Sequence, residues 1–130
     1  MPSERTALQI RQFESALSRL KEVLMLSEDA VVRDALIQRF EFTWEMAWRC
    51  LYRALRDMDI KVAEFQGPVL QAANQAGLIT DPDAWKETKE CRDLTVHTYY
   101  EEVAIAVAAH VRTKALSLFD VHLARMKALP

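Results

Sequence analysis

Only two glycines and four prolines interrupt this 130-residue chain. Tight turns and left-handed backbone are therefore scarce, and the chain must run in a few long helices. Two cysteines, Cys50 and Cys91, are too few and too far apart for a disulfide framework or a thiolate zinc site. Three histidines, none at ligand spacing from an acid, give no metal motif, and no cofactor fingerprint occurs. No apolar run approaches the roughly 18 residues that a membrane span needs. The opening MPSERTALQIRQ has no apolar stretch behind its charges, which points to the cytoplasm. A basic excess is also missing: the formal charge is −2, unlike a dedicated duplex binder. Contact with nucleic acid would have to be local, in a cleft, or shared between subunits.

What the chain does contain is helical periodicity. Ile10, Phe13, Leu17, Leu20 and Leu24 form one stripe on a helix from about Ser3 to Met25. Ser27, with Glu28 and Asp29 behind it, is the expected cap of the next helix. That helix keeps a stripe from Val32 through Leu36, Phe40, Trp44, Ala47, Leu51 and Leu55 to Met58. A second line on it, Ile37, Glu41, Glu45, Trp48 and Tyr52, mixes acids with aromatics and is expected to face both core and partner. Gly67-Pro68 should open a third helix and Gly77 close it in a Schellman turn. Asp81-Pro82 opens a fourth helix, which carries Trp85 and Cys91. Ala104, Val107, Val111, Ala115, Leu118, His122 and Met126 share a face of the last. No linker or repeat divides the chain, so the expectation is one domain over residues 1–130, an all-α, antiparallel up-and-down bundle of four to five helices.

Chemistry concentrates in CRDLTVHTYYEE, residues 91 to 102. Thr98 and Glu101 have capping-box spacing and should start the final helix. This places Arg92 at the end of the fourth helix, His97 in the connection and Tyr99 in the first turn of the fifth. An Arg with a His four to six positions beyond arises by chance roughly 0.8 times in such a chain, so alone it carries nothing. Fixing that spacing and adding Tyr two residues past the His lowers the figure to roughly 0.006. The bland alternatives are a His bonded to a backbone carbonyl, an Arg paired with a nearby acid, and packing tyrosines. His110 and His122 read as helix-face residues.

R-D-L-T-V-H-T-Y resembles the R-x4-H-x-Y signature of the HepT-like branch of HEPN proteins. ALIQRFEFTWEMAWRCLYRAL, residues 35 to 55, is similar to the accompanying helix of the nucleotidyltransferase substrate-binding proteins. The resemblance implies a homodimeric bundle that cleaves RNA without metal and is paired, as toxin with antitoxin, with a cognate minimal nucleotidyltransferase. It implies catalytic roles for Arg92 and His97, and makes Tyr99 the acceptor of a silencing AMP. Asp93 departs from the asparagine frequent at that position, and could weaken phosphate binding or hold Arg92 in place. The chemistry is coherent. Histidine moves protons near neutral pH, and an arginine fork can hold phosphate oxygens. One His per chain is meagre for both acid and base, which favours a two-fold composite cleft. The alternative is a non-catalytic subunit that binds a nucleotidyltransferase or presents a substrate to it.

Overall fold

The computed structural model describes residues 1–130, and its regular structure is all helical. Helix α1 spans Glu4–Leu24, α2 Ala30–Asp57, α3 Gln66–Gln75 and α4 Pro82–Leu94. A 3-10 turn, Thr95–His97, leads to α5, Glu101–His110, which passes through a π turn, Val111–Ala115, into α6, Leu116–Lys127. The bundle expected from periodicity is the bundle observed. Helix α2 is its axis and packs against every other helix.

The stripes explain why. Phe13, Leu17, Leu20, Leu36, Phe40, Trp44, Leu51, Leu55, Val107, Val111 and Phe119 are all essentially inaccessible and belong to one continuous core. Each comes from one face of its helix, so burying the face fixes the helix rotation. The π turn lets the last rod gain a residue without losing its stripe: Ala104, Val107, Val111, Ala115, Leu118, His122 and Met126 are buried on both sides of it.

Local signals set most ends. Ser3 caps α1 by accepting the Thr6 N–H, and Asp81 caps α4 by accepting that of Ala84. Gly77, at φ 74°, closes α3 with Leu78 N–H donating to Ala73 O and Gly77 N–H to Asn74 O, the Schellman pair. Two expected caps are corrected. Asp29, not Ser27, caps α2, because its carboxylate sits where it can accept the Val32 N–H at 2.8 Å. Thr98 and Glu101 form no capping box: Thr98 has helical backbone angles and its hydroxyl turns back to Thr95 O at 3.0 Å. Tyr100, with no side-chain cap bond, precedes α5, so Tyr99 lies in the turn before that helix and not in its first turn.

The aromatic residues of α2 read in sequence as core or dimer contact, and the structure makes them core. Trp44, Trp48 and Tyr52 are buried within the chain and cannot offer a partner a wide aromatic face. Trp44 donates to Gln66 at 3.0 Å and Trp48 to Glu45 at 3.2 Å, which satisfies both indole N–H groups.

Candidate functional site

The corner between α4 and α5 turns without glycine or proline. Hydroxyls shape it instead. Thr95 Oγ1 donates to Arg92 O at 2.7 Å, Thr98 Oγ1 donates to Thr95 O, and Tyr100 N–H donates to His97 O at 3.1 Å. These short bonds replace the helical ladder and tighten the chain into a 3-10 turn. The turn projects His97, Tyr99 and Tyr100 into solvent, with Tyr99 72% and Tyr100 54% exposed.

His97 Nδ1 lies 3.2 Å from the Tyr99 hydroxyl, and the two rings meet edge to face. That contact uses one ring nitrogen and leaves Nε2 for a ligand. Tyr100 packs on Tyr99 with ring centroids 4.5 Å apart. Leu94 and Val96, both exposed, complete an apolar rim around the motif.

Arg92 is held differently from Asp93. Its Nη1 donates to Thr95 Oγ1 at 2.7 Å and pairs with Glu41 Oε2 at 3.2 Å. Thr95 Oγ1 also lies 3.2 Å from the same Glu41 oxygen, but its single hydrogen is better placed toward Arg92 O. The Arg92 Nε is buried and makes no bond. A shielded, unpaired donor costs roughly 1–3 kcal/mol, and Arg112 Nη2 shares that condition, so it does not by itself mark Arg92 as functional. Asp93 points away: it is 60% exposed and pairs with Lys89 at 3.3 Å, a helix-surface contact one turn back. Of the two roles open to Asp93, holding Arg92 falls to Glu41 instead.

Thus the structure brings Arg92 and Thr95 to the base of the corner, His97 and Tyr99 to its tip, and Glu41 across from α2. Thr95 is the residue that motif reasoning passes over; Glu41 reads in sequence as solvated, salt-bridged or cleft-lining, and the structure pairs it with Arg92. A signal for Glu41 existed in the acid-aromatic line of α2, where its partner was not legible. Glu45, on the same line, receives Trp48 and lies 3.7 Å from Arg49. The carboxylates of Glu101 and Glu102 in the first turn of α5 oppose anion binding at that helix end.

Other titratable groups are structural. His122 is buried, donates from Nε2 to Ala47 O at 2.8 Å, and packs edge-on against Trp85. Burial pushes its pKa down to about 4 despite the Ala47 bond. His110 bonds Thr88, and burial lowers its pKa as well. Cys50 and Cys91 are buried free thiols, raised to about 12 and about 11 by loss of solvation, hence poor nucleophiles.

Fold and corner together define a HEPN-type helical bundle bearing the R-x4-H-x-Y motif. The chain belongs to the family described as nucleotidyltransferase substrate binding protein like, whose model matches residues 8–128. A probable ribonuclease HepT of Haemophilus influenzae is 32% identical over 92 residues, covering 65% of this chain and 63% of that protein. A Thermus thermophilus protein of known crystal structure superposes with a TM-score of 0.80 at 34% identity, over 88% of this chain and 98% of that one. A tri-AMPylated Shewanella oneidensis HEPN toxin, solved in complex with its MNT antitoxin, gives a TM-score of 0.79 over 98% of this chain and 99% of the toxin. At 19% identity, that last likeness bears on the fold alone.

Proposed function

We propose that this chain is a metal-independent HEPN ribonuclease, the toxin of a toxin–antitoxin pair whose antitoxin is a minimal nucleotidyltransferase. The observation that carries the reading is the α4–α5 corner, with half-buried Arg92 at its base and His97 and Tyr99 in contact at its exposed tip. The similarity to a probable HepT ribonuclease supports it.

In the reaction, the RNA 2′-hydroxyl attacks the adjacent phosphorus and the 5′-oxygen leaves, giving a 2′,3′-cyclic phosphate and a 5′-hydroxyl. A base takes the 2′-hydroxyl proton and an acid protonates the leaving oxygen. Arg92 offsets the charge that builds on the phosphoryl oxygens. His97, with Nδ1 turned to Tyr99, presents Nε2 for proton transfer. A second His97, from a two-fold partner, supplies the other proton role. Leu94, Val96, Tyr99 and Tyr100, exposed around the motif, are the surface on which such a dimer would form.

Control acts through Tyr99. Its oxygen attacks the α-phosphorus of ATP, pyrophosphate leaves, and the phenolic proton is released. The product oxygen no longer has a proton to share with His97 Nδ1, and the new phosphodiester competes with RNA for Arg92. One modification thereby removes the His97 contact and fills the cleft.

The test is expression of the chain alone and with His97→Ala. Growth arrest by the parent, abolished by the substitution at equal protein level, supports the reading. Harmless expression of both, together with tight binding to a nucleotidyltransferase, would favour a non-catalytic subunit. The observation on that side is that Arg92 is already engaged by a carboxylate.

A further inference from the structure

Glu41 comes from α2, far from the motif in sequence, yet its Oε2 lies 3.2 Å from both Arg92 Nη1 and Thr95 Oγ1. The three groups close a triangle at the base of the corner, with Arg92 Nη1 donating to Thr95 at 2.7 Å. Both of these contacts draw on the same guanidinium nitrogen. The fork is therefore pinned at one corner: Nη2 makes no bond within the chain and is left for a ligand, while Nε is unbonded but shielded behind it. A guanidinium N–H meets a phosphate oxygen at a defined angle only if the plane of the fork is fixed.

We propose that Glu41, backed by Thr95, is a positioning residue that sets the plane of Arg92 so that its free Nη2 meets the scissile phosphate. This inference rests on the reading of Arg92 as a catalytic residue and adds the group that aims it. Net attraction is not the purpose of the pair. A partly exposed carboxylate beside the arginine works against an anionic substrate, so its benefit must lie in geometry. Reach is therefore the critical property. Asparagine or aspartate at this position would fall one methylene short, whereas glutamine spans the same distance and still offers an oxygen to Nη1.

Reach and charge can be separated with purified protein and a single-stranded RNA substrate, measuring kcat and KM for Glu41→Gln, Glu41→Asp, Glu41→Ala and Arg92→Ala. Circular dichroism and thermal unfolding report folding of each. Misplacing Arg92 should lower kcat by up to about 100-fold in Glu41→Ala and Glu41→Asp while KM moves by less than about threefold, and Glu41→Gln should stay within about threefold of the parent. A merely structural contact would change the melting temperature without this order of kcat values. If Glu41→Asp retains activity and Glu41→Gln loses it, charge rather than reach matters and the positioning role is wrong. Faster cleavage by Glu41→Ala would mean that Glu41 restrains Arg92, which also overturns it. If Arg92→Ala is inactive but Glu41→Ala matches the parent, the positioning role alone falls. If Arg92→Ala itself cleaves like the parent, the assignment of the site falls and takes this inference with it.

Discussion

The Tyr99 hydroxyl sits 3.2 Å from His97 Nδ1 on a turn that exposes both side chains. The residue proposed to accept AMP thus touches the residue proposed to move protons. Tyr99→Phe removes that contact but keeps the ring packed, tilted, against Tyr100. It should change stability by less than about 0.5 kcal/mol, as exposed substitutions do, and leave most of the RNA cleavage in place. Intact-mass analysis after incubation with the cognate nucleotidyltransferase and ATP should show added AMP on the parent and none on Tyr99→Phe. Addition that maps to Tyr100 would contradict the assignment.

Arg92 and Asp93 should separate sharply. Arg92→Lys keeps the charge but loses the planar fork, so cleavage should drop by about 100-fold or more with little change in helix content. Asp93 contacts Lys89 and not Arg92, so Asp93→Asn should cost no more than about 0.5 kcal/mol. Its cleavage should be equal or slightly better, because one carboxylate fewer stands near the anionic substrate. Steady-state rates and urea midpoints check both variants.

His122 makes stability depend on pH. Buried and neutral, it binds a proton only near pH 4, whereas an unfolded chain's imidazole binds one near 6.5. Between those values the unfolded state holds more protons, so stability falls as pH drops from about 6.5 to about 4, by an amount of order 3 kcal/mol. Below that window, both states are protonated at this residue and its contribution stops changing. His122→Gln should have a flatter profile of urea midpoint against pH across the window, although it starts from lower stability. An unchanged slope would show that other groups dominate.

Two left-handed residues end helices in this chain, Gly77 at φ 74° and Asp59 at φ 58°. No atom lies within 4 Å of a Cβ built on Gly77, so Gly77→Ala meets backbone strain alone and should lose about 1–2 kcal/mol. At Asp59, glycine relieves strain but adds freedom to the unfolded chain, and the net change should stay within about 0.5 kcal/mol. Thermal unfolding of the two variants distinguishes them.

The contrast between these two turns shows what was legible in sequence. Helix bodies were readable because burying a stripe such as Phe13-Leu17-Leu20 requires helical spacing. Gly77 was readable because glycine has few other reasons to stand there, while Asp59 closes α2 in the same way with an ordinary surface residue. The α4–α5 corner hid its geometry behind hydroxyl bonds: Thr98 has capping-box spacing, yet its oxygen bonds backward to Thr95. Motif spacing located Arg92, His97 and Tyr99, all of them local in sequence. Glu41 meets Arg92 only after α2 packs against α4, and no local pattern records that meeting.

The central claim is that Arg92 and His97 cut RNA without metal. The direct measurement is cleavage of a defined single-stranded RNA by purified protein in excess EDTA, with analysis of product ends. The parent should give products ending in 2′,3′-cyclic phosphate and 5′-hydroxyl, and helical, folded His97→Ala or Arg92→Ala should give none. Equal cleavage by His97→Ala, or no cleavage by the parent under conditions where its expression arrests growth, would contradict it.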